Sequence, residues 1–494
     1  MSEKSLLVLD IGTSSTKAAL YSSVGKLLEV QSEDYSVHFP RAGWAEQNPI
    51  DWWDTACRCT QKILHSFGAS MITAVCVSGQ APSCVPIDEK GEPLAPAILW
   101  LDRRSTDQVG YISKIVGEEN VTAVSGNKND SYFGGPKWLW FKQNNPELYR
   151  KTWKILQASS FIIFHLTGEA VIDPSQAGLC GPFFDIGSGQ WDAEMCDRLE
   201  LDIQKLPAIF PSSKVIGEVT PQGALQSGIP AGVPVLCGGG DFAFSCLGAG
   251  VFRQGDAALM LGTAGNLLIP DPFERDVRLL NTYHVTGQRL ALGGVYAGGS
   301  VNWMSAVLDL QGSSNLTMLD QEASSIPPGS DGLIFLPYLM GERSPIWDPY
   351  ARGIFFGLSA AHTRAHLFRA VLEGVAYAFR SVAEIVAAQG GPITGITATD
   401  GGSRSRLWRE ILADVLQVPI LWRRSSGGTL LGAAFLAAYS SEMVSDFHSI
   451  YDWLPTGEAV EPEGDVFLIY EQGYRVFTEL YERNRTLFPR SDAG

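Results

Sequence analysis

Leu6-Leu7-Val8-Leu9-Asp10-Ile11-Gly12-Thr13-Ser14-Ser15-Thr16-Lys17 is the stretch on which the fold turns. Its four leading apolar residues read as a buried strand, residues 10–15 as a tight polar turn, and residues 16–21 as a second extended run. Half a chain later Ala257-Ala258-Leu259-Met260-Leu261-Gly262-Thr263-Ala264-Gly265-Asn266-Leu267-Leu268-Ile269 repeats the design around Gly262-Thr263. Two such hairpins predict two related halves. Around them strands alternate with helices. Residues 49–67 open as a helix with Asp51 in the first turn, where the dipole favours it. Residues 72–78 read as a buried strand, 137–142 as a Trp-rich helical stretch closing before Pro146, and 235–237 and 396–399 as further strands. Residues 366–388 and 407–416 carry apolar side chains at helical spacing. The alternation implies α/β domains. The Gly- and Pro-rich residues 223–234 are the expected boundary signal, and the acidic, aromatic last fifty or so residues read as terminal helices.

The chain has 494 residues, enough for about two to four domains, and 37 Lys+Arg against 53 Asp+Glu give it a formal charge of −16. That balance argues against binding a phosphate backbone, which rests on Lys and Arg displacing counterions. No apolar stretch approaches the ~20 residues of a membrane span, and residues 6–9 are too short for a signal h-region. The eight cysteines are dispersed with no CxxC pair. They predict reduced thiols in a cytoplasmic protein, while the charge balance and the short apolar runs predict no nucleic acid and no membrane as partner.

Three places could carry chemistry. Around Gly12 the backbone can approach a ligand closely, and Thr13, Ser14 and Ser15 offer hydroxyls and amides to phosphate oxygens, with the Asp10 carboxylate beside them as a natural Mg²⁺ partner. The same residues also suit a polar turn that binds nothing. Gly238-Gly239-Gly240-Asp241 brings a carboxylate to a glycine-rich strand end. Asp241 reads equally as the N-cap of a helix over 242–247, and one position can serve both ends. Gly401-Gly402-Ser403 could let adenosine lie against backbone, or simply lead into a helix. Asp102 and Arg103 read either as a surface ion pair or as a substrate-side pair. The seven histidines show no metal-ligand spacing.

In order along the chain, the segments 10–17, Trp100-x-Asp102-x-Arg104, 137–140, 239–241, Leu261-Gly262-Thr263, Gly341-Glu342-Arg343-Ser344-Pro345, 353–373 and Gly401-Gly402 resemble the FGGY carbohydrate kinases. Gly353-Ile354-Phe355-Phe356-Gly357-Leu358 followed by residues 366–373 fits the family's C-terminal signature, while Gly134 stands where its N-terminal signature has Pro, Ser or Thr. The resemblance implies two ribonuclease-H-like (actin-like ATPase) α/β domains, residues 1–248 and 249–494, with a nucleotide cleft between them. It implies ATP and Mg²⁺ as cofactors and Asp241 as general base. It places Asp10, Gly12, Thr13, Ser14, Ser15 and Lys17 on the phosphates from one side, with Gly262 and Thr263 on the other. Gly401 and Gly402 would line adenosine, and Asp10 and Asp241 would face the metal.

Within the family the nearest pattern is that of the xylulokinases, carried by Gly43-Trp44-Ala45-Glu46-Gln47-Asn48-Pro49 and Ala97-Ile98-Leu99-Trp100. This makes phosphorylation of a ketopentose such as D-xylulose the first expectation. The sugar side would be Gln80, Ala81, Pro82, Asp102, Tyr132, Asp241 and Phe242. Ala81-Pro82-Ser83 replaces the usual Met-His-Gly and Phe242 the usual Asn, which opens other ketoses or polyols (ribulose, erythritol, glycerol). Ser131-Tyr132-Phe133 is nearer the glycerol kinases, and Asp400 replaces the first glycine of the family's adenosine motif. An actin-like ATPase without sugar kinase activity is the alternative of another class, and a homodimer stays open.

Overall fold

A computed structural model describes residues 4–272, 274–424 and 427–488. The chain forms two compact units. The first comprises Met1–Phe252, Asn281–Leu290 and Gly427–Leu454, and the second Arg253–Leu280, Ala291–Ser426 and Pro455–Gly494. Where the sequence suggested one boundary at 248/249, the chain thus returns twice to the first unit after leaving it.

The first unit is built on β1 (Ser5–Ile11), β2 (Ser15–Ser22), β3 (Leu27–Asp34), β4 (Ile72–Gly79), β5 (Val215–Glu218), β6 (Pro234–Leu236) and the two-residue β7 (Gly239–Gly240). Their order is β5-β6-β4-β1-β2-β3, with β7 also pairing β4. The first two strands are antiparallel, whereas β4 runs parallel to β1 and β6 parallel to β4. Every residue of β1 is buried, as its unbroken apolar run requires of a central strand covered on both faces. One cover is the helix Pro49–Phe67, started by Asn48 capping Ile50 and by Pro49 in the first turn. Its Trp52, Ala56, Cys59 and Ile63 recur at helical spacing and are all buried. All eight cysteines are buried.

The second unit repeats the plan. Its sheet is made of β8 (Asp256–Leu261), β9 (Gly265–Pro270), β10 (Leu280–Tyr283), β11 (Arg289–Val295), β12 (Gly395–Thr399), β13 (Ile420–Trp422) and β14 (Glu458–Val460), in the order β10-β11-β9-β8-β12-β13-β14, with most of β10 and the start of β11 falling in the segment Asn281–Leu290 that is counted with the first unit. Again the opening hairpin is antiparallel, the next two strands follow in parallel, and the outer one is antiparallel. The expected relation between the halves is therefore one of topology as well as of turn sequence. Both units are α/β, as expected.

Two expectations change. Residues 223–234 are no boundary: Thr220 caps and Pro221 opens a helix Pro221–Ser227, which Gly228 ends in the left-handed region, φ 80°. Gly and Pro mark the two ends of that helix inside the first unit. The last stretch is not purely helical either. Glu458–Val460 completes the sheet against β13 before the helix Phe467–Asn484 begins, and residues 489–494 lie outside the described residues.

Candidate active site

Three strands of the first sheet end at one level. Register pairs Asp10 with Ser78 and Ile11 with Gly79 on one side of β4, and Gly239 with Ser78 and Gly240 with Gly79 on the other. The carboxyl ends of parallel strands are where open α/β sheets bind ligands. Here they present two carboxylates, Asp10 as the last residue but one of β1 and Asp241 directly after β7. Asp241 is the first helical residue of Asp241–Gly248, and Gly240, not Asp241, holds the N-cap position. Its Oδ1 accepts from the amide of Phe242 at 2.7 Å. Burial and then the negative charge of Asp10 push its carboxyl up to about 7. Burial likewise raises Asp10, against the opposing pull of Ser78 and of Lys17 across the β1–β2 pair. Asp10 Oδ1 is buried with no hydrogen-bond partner. Two neighbouring carboxylates, one with a buried unsatisfied oxygen, fit a divalent cation that neutralises them. Among the described residues no group of three His, Cys, Asp or Glu could hold a metal ion, so a cation here would take its remaining ligands from water and substrate.

The turn after β1 is braced by side chains. Tyr35 donates to Gly12 O at 2.6 Å, Gln47 Nε2 to Thr13 O at 2.7 Å, and Trp100 Nε1 to Thr13 Oγ1 at 3.0 Å. Gln80 Nε2 reaches Gly12 O at 3.3 Å and Gln47 Oε1 at 2.9 Å, while Gln80 Oε1 is buried without a partner. Ser14 and Ser15 contribute backbone carbonyls to Tyr35 and Gly12, and Lys17 stands exposed on β2. Sequence reasoning missed Tyr35 and Gln47, since a lone Tyr or Gln in a polar stretch carries no motif.

The expected sugar-side residues are only partly brought together. Ala81 and Pro82 follow Gln80 and are buried. Phe242 folds back over Gly240, where an added Cβ would lie 2.6 Å from its ring. Tyr132 is buried edge-on to Phe133, with the Arg103 guanidinium 5.6 Å above its ring. Asp102 is neither on the surface nor open to a ligand. It is fully buried, bidentate to Arg104, and accepts from the amides of Ala45 and Arg104. A buried carboxylate needs such saturation, and the pair fixes the segment around Ala45 rather than offering a free acceptor. Lys137 is also fully buried; its ammonium donates to the carbonyls of Ser131 and Tyr132, and burial lowers it to about 7.

In the second unit Gly262 and Thr263 form the corresponding turn, held by backbone: Gly298 N donates to Gly262 O and Gly299 N to Thr263 O, both at 2.9 Å. These two amides open the helix Ala297–Val307, a site sequence reasoning overlooked although Gly-Gly at a strand-to-helix junction is a usable signal. Next to the turn lies a cavity of about 820 Å³ lined by Leu261–Thr263, Asn302, Leu316, Asp320, Phe368, Gly401, Gly402 and Trp408. Apolar side chains interleaved with polar ones, at that volume, suit a nucleoside. The two glycines differ. Nothing lies within 4 Å of a Cβ on Gly401, whereas one on Gly402 would meet Trp408 at 2.6 Å and Leu261 at 2.9 Å. Asp400, with φ 66°, brings its Oδ2 to 3.6 Å from the Cβ position of Gly262.

No helix of the described residues is long and apolar enough to cross a membrane. Residues 5–248 match the N-terminal domain, and residues 257–441 the C-terminal domain, of the FGGY family of carbohydrate kinases. The chain is 31% identical over 502 residues to a xylulose kinase of Staphylococcus epidermidis, covering 99% of this chain and 98% of that one. It is 30% identical over 462 residues to a gluconokinase of Bacillus subtilis, covering 91% and 90%. The crystal structure of xylulose kinase from Rhodospirillum rubrum superposes with a TM-score of 0.93 at 34% identity, over 99% of this chain and 100% of that one. Matched in both halves and along nearly its whole length, the chain belongs to the FGGY family of carbohydrate kinases.

Proposed function

We propose that this carbohydrate kinase transfers the terminal phosphoryl group of ATP to a hydroxyl of a ketopentose, with D-xylulose as first candidate. The carrying observation is Asp241: a carboxylate at a strand end, beside Asp10, with its carboxyl near neutrality. A group so poised can orient an acceptor hydroxyl and take its proton, the one covalent task that phosphoryl transfer leaves to the protein beyond alignment and charge neutralisation. In this reading Gly12, Thr13, Ser14, Ser15 and Lys17 bind phosphate from the first unit, Gly262 and Thr263 from the second, and Gly401 and Gly402 border the adenosine. Asp10 and Asp241 would hold Mg²⁺, which when bound offsets the charge of the phosphate oxygens. Gln80 turns its unpaired Oε1 to the sugar, next to Ala81, Pro82, Tyr132 and Phe242. The base and sugar residues fall in 1–248 and the adenosine residues in 249–494, and the enzyme works in the cytoplasm.

The names of the Staphylococcus epidermidis and Rhodospirillum rubrum relatives support D-xylulose. A second reading, another ketose or polyol, is favoured by Ala81, Pro82 and Phe242, whose side chains carry no polar atom where sugar hydroxyls would need one. A buried hydroxyl left unpaired costs about 1–3 kcal/mol. The test couples ADP release to D-xylulose, D-ribulose, L-xylulose, erythritol, glycerol and gluconate, for the parent and for Asp241→Asn. Sugar-dependent turnover that falls at least a hundredfold in the variant, with ATP binding kept, is expected. Preference for D-xylulose by a hundredfold or more would make the three apolar residues packing variants, and ADP release indifferent to every sugar would return the ATPase alternative.

A further inference from the structure

Asp173 is buried deep in the first unit and caps the four-residue helix Pro174–Ala177. A cap of so short a helix needs no burial, and a buried carboxylate is costly unless its hydrogen bonds do something an apolar residue could not. Its oxygens accept from Ser175 N at 2.9 Å, Gln176 N at 3.3 Å and Ser212 Oγ at 2.8 Å. The helix so fixed points Ser175 Oγ at one backbone group, the amide of Gly240, at 2.9 Å. That amide immediately precedes Asp241. Gly239 is pressed against the same cluster: a Cβ there would lie 3.0 Å from Asp173 Oδ2, 3.0 Å from Val285 and 3.1 Å from Ser175 Oγ.

The cluster is locked from behind by one of the returning segments, Asn281–Leu290. Thr282 Oγ1 donates to Ser175 O at 2.6 Å, and its side chain fills the space beside Gly178, whose Cβ would lie 2.3 Å from that oxygen. Asn281 is held in turn by reciprocal bonds with Asn127, at 2.7 and 2.8 Å. None of these contacts includes the Asp241 carboxylate. They end on the two residues whose backbone sets its direction.

We infer that Ser175 and Thr282, with Asp173 behind them, are positioning residues that hold Gly239–Gly240 in place and thereby aim the Asp241 carboxylate. The inference rests on Asp241 being the base. Displacement of a reacting group by about 1 Å costs on the order of a hundredfold in rate, so loss of one link should lower kcat while leaving substrate affinity alone.

The experiment uses the full chain with Ser175→Ala, Thr282→Val, which keeps shape and loses the donor, and Thr282→Ser, which keeps the donor. Rates are taken per folded molecule by circular dichroism, on the best substrate of the panel, with Asp241→Asn alongside. Ser175→Ala and Thr282→Val are expected to lose about tenfold to a hundredfold in kcat with KM for sugar and ATP within about twofold, and Thr282→Ser to stay within about threefold of the parent. Unchanged kcat in both, an effect confined to KM, or loss of the folded state in both overturns the inference. If Asp241→Asn keeps kcat within about tenfold, it is the base reading that fails. If Asp241→Asn is inactive while the other variants turn over normally, only the positioning role falls.

Discussion

The turns after β1 and β8 occupy equivalent places in two sheets of the same topology, yet they are held by different means. Ile11-Gly12-Thr13 is gripped by the side chains of Tyr35, Gln47, Gln80 and Trp100, all reaching in from other parts of the chain. Leu261-Gly262-Thr263 is gripped by two consecutive amides of a helix start. Register sharpens the contrast. Asp10 pairs with Ser78, and its counterpart Met260 pairs with Thr399, so a carboxylate in the first unit corresponds to a thioether in the second. Two residues on from Ser78 stands Gln80 with a buried free acceptor, whereas two residues on from Thr399, past Asp400, stands Gly401 with open space. One scaffold thus presents two carboxylates at its strand ends in one unit, and in the other a cavity of mixed apolar and polar lining with bare backbone at Gly401. The chemistry was assigned by the residues at the strand ends, not by the fold.

Each brace can be broken separately. The largest effect is expected at Gly298, where a Cβ would stand 2.5 Å from Gly262 O. Gly298→Ala should displace the second turn and lower kcat/KM for ATP by tenfold to a hundredfold with the sugar KM little changed, as steady-state kinetics would show. The neighbouring control, Gly401→Ala, meets no atom within 4 Å and should leave stability unaltered.

In the first turn, Gln47→Leu removes the partner of Thr13 O, of Gln80 and of Trp52 Nε1, which donates to Gln47 at 3.1 Å. Orphaned buried groups should cost about 1–3 kcal/mol in urea unfolding. An unchanged midpoint would mean that side-chain bracing is dispensable there.

The like-charged pair should appear as pH-dependent stability. Asp241 is raised from 3.8 to about 7 in the folded state, so its proton is bound more tightly when folded. The stabilisation this gives is complete below pH 3.8 and lost as pH rises through about 7. Asp241→Asn should therefore raise the Tm at pH 8, with the gain shrinking towards pH 4, in thermal scans without added metal. Mg²⁺ should raise the Tm of the parent at pH 8 more than that of the variant. The smallest effect is expected from Trp100→Phe, which removes a single 3.0 Å bond to Thr13 and should cost about 1 kcal/mol, or about fivefold in KM for ATP.

Much of this was legible in the sequence. The two hairpins, the helix opened at Pro49 with Asp51 in its first turn, and the carboxylate behind three glycines are local patterns, and each falls where its pattern placed it. Strand-end glycines, turn hydroxyls and apolar runs declare themselves because backbone geometry and burial act residue by residue. Asp102 was ambiguous for the opposite reason: a carboxylate two residues before an arginine reads alike on a surface and in a core, and only packing made it a buried, saturated pair. At Gly402, likewise, no local pattern shows that the space a missing side chain leaves is claimed by Trp408 and Leu261 from other elements.

The sequence by itself determined the α/β class, the repeated Gly-Thr hairpin, the family resemblance and the carboxylates that could serve it, because all of these are written in consecutive residues. Only the tertiary structure decided that segments 281–290 and 427–454 pack with the first unit, that Tyr35, Gln47 and Trp100 hold its turn, and that Asp173, Ser175 and Thr282 meet behind Gly240. The physical reason is that a buried hydrogen bond between residues as far apart as Ser175 and Thr282 leaves no trace in either one's neighbours along the chain. It exists only once β10 and the short helix Pro174–Ala177 have been brought together.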